Sequence, residues 1–239
     1  MRSIPPKSPT PPSGNADDKR EQILQVAEAL FDRQGYTQTT IGQIVGLLGV
    51  TKPFVYYYFR SKQEIFETLS WRPTVACFTS MDFAPDDTRP AHAKVMEGME
   101  RLIRTTLQHH PAAFFPYREP QVFRPEYLAA QKRLAHHFYS RLCALLEEAR
   151  RDGMLDFRET RITAQAACSL PGFLYNWYRP DGRLGAEEVV QELTGLVARM
   201  LGLQDQRGLP SATLVPGAGA GAAREVASSR LSARSENTR

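Results

Sequence analysis

The 239-residue chain has little that would staple, anchor or metallate it. Its three cysteines, at 77, 143 and 168, are odd in number and widely spaced. With no CxxC pair and no zinc-ligand spacing, they predict a reducing compartment, no disulfide framework and no structural metal. No apolar run approaches the roughly 18 residues that a membrane span needs, so no membrane partner is expected. The opening MRSIPPKSPTPPSG has no apolar signal-peptide core, and a cytoplasmic location is the expectation. There is no GxSxG, no Walker loop and no HExxH, so no catalytic residue, no cofactor and no enzymatic activity are expected. The pairs His109–His110 and His136–His137 are adjacent, and neighbours on a helix point apart, which argues against a metal site. No stretch alternates with period two for long enough to make a strand, and no internal repeat stands out.

What is present is globular and helical. The chain is 42% hydrophobic and 23% charged, which excludes a collagen or a wholly disordered chain. The net charge of +4 permits nucleic-acid binding without establishing it. Prolines at 5, 6, 9, 11 and 12 mark residues 1–15 as a disordered tail. From 204 to 239 the chain turns Gly, Ala, Ser and Arg rich and reads as a flexible low-complexity tail, with a short helix conceivable near Ala222 to Arg234. Between the tails the expectation is an all-α protein. A section of short helices is expected over 16–62 and a larger helical section over 63–203.

The first helix shows Ile23, Val26, Ala27, Leu30 and Phe31 on one face, and Gly35 reads as its stop. Thr40 with Gln43 makes a capping box for a short second helix, which ends near Leu48 with Gly49 as the turn. Thr51 caps a third helix with Pro53 in its first turn. Ser61 with Glu64 is a second capping box and opens a fourth helix, whose apolar side is Ile65, Phe66 and Leu69. On the third helix Val55 and Phe59 share a face that packs inward, so Lys52, Pro53, Tyr56 and Tyr57 look outward. A lysine there can donate to guanine, and tyrosine hydroxyls can donate to phosphates. Phe54 suits a thymine methyl. The N-termini of the second and fourth helices, at Thr40 and Lys62, suit phosphate. Arg2, Lys7, Lys19 and Arg20 read either as a solvated tail or as an arm in a neighbouring groove.

The text AxxLFxxxGY at 27–36, TTIxxI at 39–44, GVTKxxxYYxF at 49–59 and SKxxI at 61–65 resembles the TetR family of bacterial regulators. That resemblance implies a homodimeric repressor on a palindromic double-stranded operator, with a helix-turn-helix DNA-binding domain over 16–62 and a helical ligand-binding and dimerisation domain over 63–203. It implies phosphate contacts from Thr40, Thr51, Tyr56, Tyr57 and Lys62, and an approach to bases by Lys52. This sequence has Pro53 where the family often has glycine, Tyr58 where it often has histidine, and Phe54 at a position often small or polar.

Further helices are expected at 91–109, 125–152, 160–178 and 186–202, with an irregular piece at 111–118. Gly153 and the Arg-Pro-Asp-Gly turn at 179–182 punctuate them. Leu193, Leu196, Val197, Met200 and Leu201 stripe the last helix. The small Ala164, Ala167 and Ser169 on the preceding one suit a tight four-helix dimer interface. Cys143 and Cys168 sit among apolar residues and read as buried and inert. The stretch NWYRPDGRL at 176–184 resembles a subset of TetR-like repressors that respond to acyl-CoA thioesters of lipid, steroid or aromatic catabolism. Members of that subset carry another tryptophan and arginine where this chain has Phe173 and Asn176. For such an effector Arg118, Arg179, Arg104 and Arg141 are candidate cations. Phe173, Tyr175, Trp177, Tyr178, Phe114, Phe115 and Tyr117 are candidate aromatics. The alternative is a repressor of efflux or antibiotic genes that senses an aromatic or cationic drug, for which an acidic pocket would be the mark.

Overall fold

The structure, a computed structural model, describes residues 16–203. Both expected tails, the helix near Ala222 to Arg234, and the arm residues Arg2 and Lys7 lie outside the described residues. The described chain is all-α. Its helices are α1 (Ala16–Gln38), α2 (Ile41–Leu48), α3 (Lys52–Tyr58), α4 (Lys62–Phe78), α5 (Ala91–Gln108), α6 (Phe115–Arg118), α7 (Pro125–Arg151), α8 (Thr160–Gly172), α9 (Leu174–Trp177) and α10 (Ala186–Met200). Short 3-10 turns at Ala112–Phe114 and Pro120–Val122 flank α6.

The headpiece is built on α1. Ile23, Leu24, Ala27, Leu30 and Phe31 are buried there, and they meet Ile44 of α2, Val55 of α3 and Phe59 in one apolar cluster. Backbone geometry breaks at Gly35, whose φ of 78° and ψ of 169° are not helical, and one further turn carries α1 to Gln38. The Thr40–Gln43 capping box is complete: the Gln43 N–H donates to Thr40 Oγ1 and the Thr40 N–H donates to Gln43 Oε1. Gly49 closes α2 in the left-handed region, with φ 65°. That turn sets the angle at which α3 leaves. Gly49→Ala should therefore cost about 1 kcal/mol through its left-handed backbone alone, read as a lowered urea midpoint.

Two expected caps are built differently. Thr51 sits at the N-cap of α3, but its hydroxyl makes no capping bond. The Phe54 and Val55 N–H groups donate instead to the Thr51 carbonyl, at 3.1 and 3.4 Å, and Pro53 has no N–H to satisfy. At α4 the Glu64 N–H donates to Ser61 Oγ at 3.1 Å. The Glu64 carboxylate, however, takes the N–H of Arg60 rather than that of Ser61, so the box reaches one residue further back.

The larger body packs α10 on α5, α5 on α7, and α7 on α8. Val95, Met99, Leu102, Ile103 and Leu107 line the buried face of α5. Phe138, Leu142, Leu145, Leu146 and Ala149 do the same for α7. The expected helix over 160–178 is broken in two. Pro171 lacks the N–H that would continue the ladder, Gly172 follows, and the chain re-enters a helix at Leu174. Leu193, Val197 and Leu201 of the terminal stripe are buried within the protomer, while Leu196 stays exposed. Ala164 and Ala167 are also turned inward, at 0% and 1% exposure. Those two alanines thus bring helices of one chain together, while Ser169, the third small residue that suited a dimer contact, is half-buried beside Ile162, Gln165 and Ala166.

Candidate nucleic-acid interface and effector cavity

The outer face of α3 is the most exposed aromatic surface of the headpiece. Tyr57 is 79% and Tyr56 50% exposed, and Lys52 and Pro53 are exposed beside them. Val55 and Phe59, opposite, are buried. Among the described residues Lys52 makes no hydrogen bond and no ion pair. Phe54 does not share this face fully. It is half-buried against the headpiece cluster, edge-on to Tyr58, and lines a shallow hollow with Ile23, Leu48 and Val50. Thr51 and Thr40 are both exposed, with the Thr40 hydroxyl engaged in its capping box.

Lys62 has a second employment that its position in sequence does not reveal. Its ammonium donates to the carbonyls of Tyr36 and Thr39, at 2.6 and 2.7 Å, and lies over the Tyr36 ring at 4.0 Å. It thereby ties the start of α4 to the end of α1, and burial pushes its pKa down. Lys19 and Arg20 are on the first turns of α1 rather than in a tail, because the helix begins at Ala16 with Asp17 and Asp18 favouring its N-terminus. The Arg20 guanidinium covers the Phe59 ring at 4.8 Å.

A cavity of about 110 Å³ lies in the larger body, between α4, α5, α7, α8 and the broken segment 112–118, a 3-10 turn followed by the one-turn helix α6. Helix α4 contributes Pro73, Thr74, Cys77 and Phe78, α5 contributes Leu102 and Thr106, and α7 contributes Gln131 and Phe138. The remaining wall is Ala113, Pro116 and Tyr117 with Cys168, Pro171 and Gly172 of α8. No side chain in this lining carries a formal charge. Thr106 donates to the Leu102 carbonyl at 2.8 Å, and the Thr74 hydroxyl meets that of Tyr127 at 3.2 Å. Burial pushes the thiols of Cys77 and Cys168 up to about 11 and about 12, so both are neutral. Cys143 and Cys168, expected to be buried, are half-buried. Among the described residues no group of His, Cys, Asp or Glu is arranged to hold a metal.

Of the eleven residues singled out for a ligand, Tyr117 alone lines this cavity. Phe114 is buried in a cluster with Ile103, Leu107, Leu174 and Tyr178. Arg118 is paired with Asp32 of α1 at 3.0 Å. Arg179 is exposed and donates to the Tyr178 carbonyl at 2.9 Å. Phe173, Tyr175 and Tyr117 do come together, as a ladder of near-parallel rings: Tyr117 to Tyr175 at 5.6 Å and Tyr175 to Phe173 at 6.4 Å. Trp177 is exposed. Of the other candidate cations, Arg104 pairs with Glu100 and Glu187, and Arg141 borders an outer groove with His137 and Asp82. Apart from Tyr117, the cavity residues escaped the sequence because the lining is assembled from four helices and a short segment far apart in the chain. The signal available was a polar residue on an apolar stripe, Thr106 one turn beyond Leu102.

The broken segment faces three ways in six residues. Ala112 and Phe115 enter the headpiece cluster, Ala113, Pro116 and Tyr117 form the cavity wall, and Phe114 joins the α5–α10 cluster. Polar contacts reinforce the first of these. Besides Arg118 with Asp32, the Tyr36 N–H donates to Glu119 at 3.4 Å. Glu67 of α4, buried, accepts from the backbone N–H and the guanidinium of Arg124. Helix α4 itself spans both regions, with Ile65, Phe66 and Leu69 in the headpiece cluster and Pro73 to Phe78 on the cavity.

Comparison with known proteins agrees with this two-part plan. Residues 23–69 match the family described as bacterial regulatory proteins, tetR family, and residues 88–201 match the tetracyclin repressor-like C-terminal domain. The HTH-type transcriptional regulator AcrR of Shigella flexneri is 37% identical over 54 residues, 23% of this chain and 25% of that protein, so the match spans about a quarter of its length. The HTH-type transcriptional repressor KstR2 of Mycobacterium tuberculosis is 25% identical over 203 residues, 77% of this chain and 94% of that protein. The crystal structure of AibR in complex with isovaleryl coenzyme A and operator DNA superposes with a TM-score of 0.63 at 18% identity, over 77% of this chain and 99% of that one. Two family matches that together take in the headpiece and most of the larger body, and a curated relative aligned along nearly its whole length, lead to one conclusion: the chain belongs to the TetR family of transcriptional regulators.

Proposed function

We propose that the protein is a homodimeric transcriptional repressor that reads a palindromic operator with α3 and leaves it when a small effector fills the cavity. The observation that carries this reading is the division of α3 into a buried side, Val55, and an exposed side, Lys52, Tyr56 and Tyr57, with Phe59 closing the buried side just beyond the helix end. A helix held so, one turn after another short helix, presents its first residues to a major groove. Thr40, Thr51 and Lys62 are proposed as phosphate contacts, and Pro53 and Phe54 as neighbours of the bases. The dimer forms through α8 and α10, whose outward residues include Ile162 and Leu196, and its two-fold axis matches the operator's.

The effector reading is supported by the uncharged cavity and by the likeness to AibR, whose complex holds an acyl-CoA. The relatives AcrR and TtgR each match over only 54 residues, 23% of this chain, and carry no effector information. A drug cation would want a carboxylate in the wall, and the lining has none. An acyl-CoA thioester is therefore favoured, with Tyr117, Tyr175, Phe173 and Trp177 offering the outer aromatic surface and Arg118 and Arg179 the nearby cations. Ligand and DNA oppose each other through α4 and the segment 112–118, both of which touch the headpiece core and the cavity wall. The test is footprinting on the DNA upstream of the protein's own gene. A symmetric footprint that disappears with a thioester and persists with free CoA supports the reading. Persistence with every thioester overturns its effector half.

A further inference from the structure

We infer that the cavity selects its occupant by length: it takes one short, uncharged acyl group of about four to six carbons and turns away long chains and fused rings. The inference rests on the effector reading above and narrows it.

Volume sets the first limit. A dry protein cavity of about 150 Å³ accommodates a benzene ring, six carbons. The cavity here is about 110 Å³, which on that scale seats about four or five carbons. The walls do not yield easily. Phe138 is 4% exposed and packs on Phe78, with ring centroids 5.9 Å apart, and Leu102 and Pro171 are buried too. Overfilling such a site forces off-rotamer side chains and backbone shifts.

Charge sets the second limit. With no cation in the lining, a free carboxylate entering it would be desolvated without a partner, and with no carboxylate an amine would be too. A single carbonyl is a different matter. The Thr74 and Thr106 hydroxyls already have partners. Among the described residues the Gln131 amide makes no hydrogen bond, and neither does the Tyr117 phenol. Each can donate to one acceptor at the cavity wall. An apolar tail with one carbonyl at its end answers both the walls and these two donors. Tyr117 is 54% exposed and also lines the cavity, so the carbonyl end lies on the side that opens to the surface and to the Tyr175–Phe173 ladder. That ring ladder is where the rest of a larger thioester would pass.

The same acyl tip can arrive on coenzyme A or on a small neutral carrier. Calorimetric titration of the full-length protein with two series separates them: CoA thioesters, and S-acyl-N-acetylcysteamine thioesters that lack the nucleotide. Each series runs from two to twelve carbons, with a fused-ring acyl, free acids and a cationic dye alongside. The expected result is an optimum at about four to six carbons in either series, with binding about tenfold weaker at eight carbons and beyond. Phe138→Ala should move the optimum up by about four carbons. Cys168→Leu, a milder change at a half-buried position, should weaken every length about tenfold and serves if the first variant does not fold. Tightest binding by long-chain or fused-ring thioesters would overturn the length limit while leaving a thioester effector in place. Tighter binding of a free acid or the dye would overturn the uncharged site. Failure of every thioester in both series would overturn the effector reading itself.

Discussion

Lys52→Ala is expected to weaken binding to the operator about tenfold per headpiece, and so roughly a hundredfold for a dimer that engages two half-sites. The structure makes this a clean experiment. Lys52 is exposed on the first turn of α3, and among the described residues it has no hydrogen bond or ion pair to lose, so the fold should be untouched. Tyr57→Phe removes a hydroxyl that points to solvent and is expected to weaken specific and unspecific DNA alike, because a phosphate contact carries no sequence information. The two variants should therefore differ in kind. The lysine change narrows the gap between operator and unrelated DNA, and the tyrosine change preserves it. Fluorescence anisotropy with both duplexes reads the difference directly. Equal affinity of Lys52→Ala and the parent protein for the operator would remove α3 from the reading of bases.

The largest stability effect is expected from Phe66→Ala, at about 3–5 kcal/mol. Phe66 is buried where four rings converge: Phe115 stacks on it at 4.7 Å, Phe31 meets it edge-on at 5.0 Å, and Tyr36 and Phe123 lie at 5.1 and 5.3 Å. It stands on α4 between the headpiece and the broken segment, so the void would loosen both at once. For a domain of this size the loss corresponds to a melting temperature lower by roughly 10 °C. Phe66→Leu should recover more than half of it. A loss below about 1 kcal/mol for the alanine variant would mean that this ring cluster does not hold the two regions together.

The helices were legible because each buries one face, and the 3.6-residue period survives in the sequence. The expected 91–109 and 125–152 differ from α5 and α7 by single residues at their ends. The Thr40–Gln43 box and the Gly49 turn were legible because capping is local chemistry between residues three apart or fewer. What was not legible depends on partners far away in sequence. Lys62 reads as a free cation at a helix start, yet two carbonyls more than twenty residues earlier claim its ammonium. Arg118 reads as a free cation, yet Asp32, far earlier in the chain, pairs with its guanidinium. Phe114 and Tyr117 look alike in a short aromatic run, but one is core and the other cavity wall, because a 3-10 turn followed by a helical turn aims them apart. Ala164 and Ala167 fit a contact between chains or within one, and only the packing of α8 on α7 and α10 decides where they point.

The measurement that bears most directly on the central claim is a salt titration of anisotropy, with the full-length protein on the duplex upstream of its own gene and on a scrambled duplex of equal length. Affinity for both is expected to fall as salt rises, and the upstream duplex to stay at least about a thousandfold preferred at physiological salt. Equal affinity for the two duplexes at every salt concentration would contradict that claim, leaving α3 as a basic surface that does not read sequence.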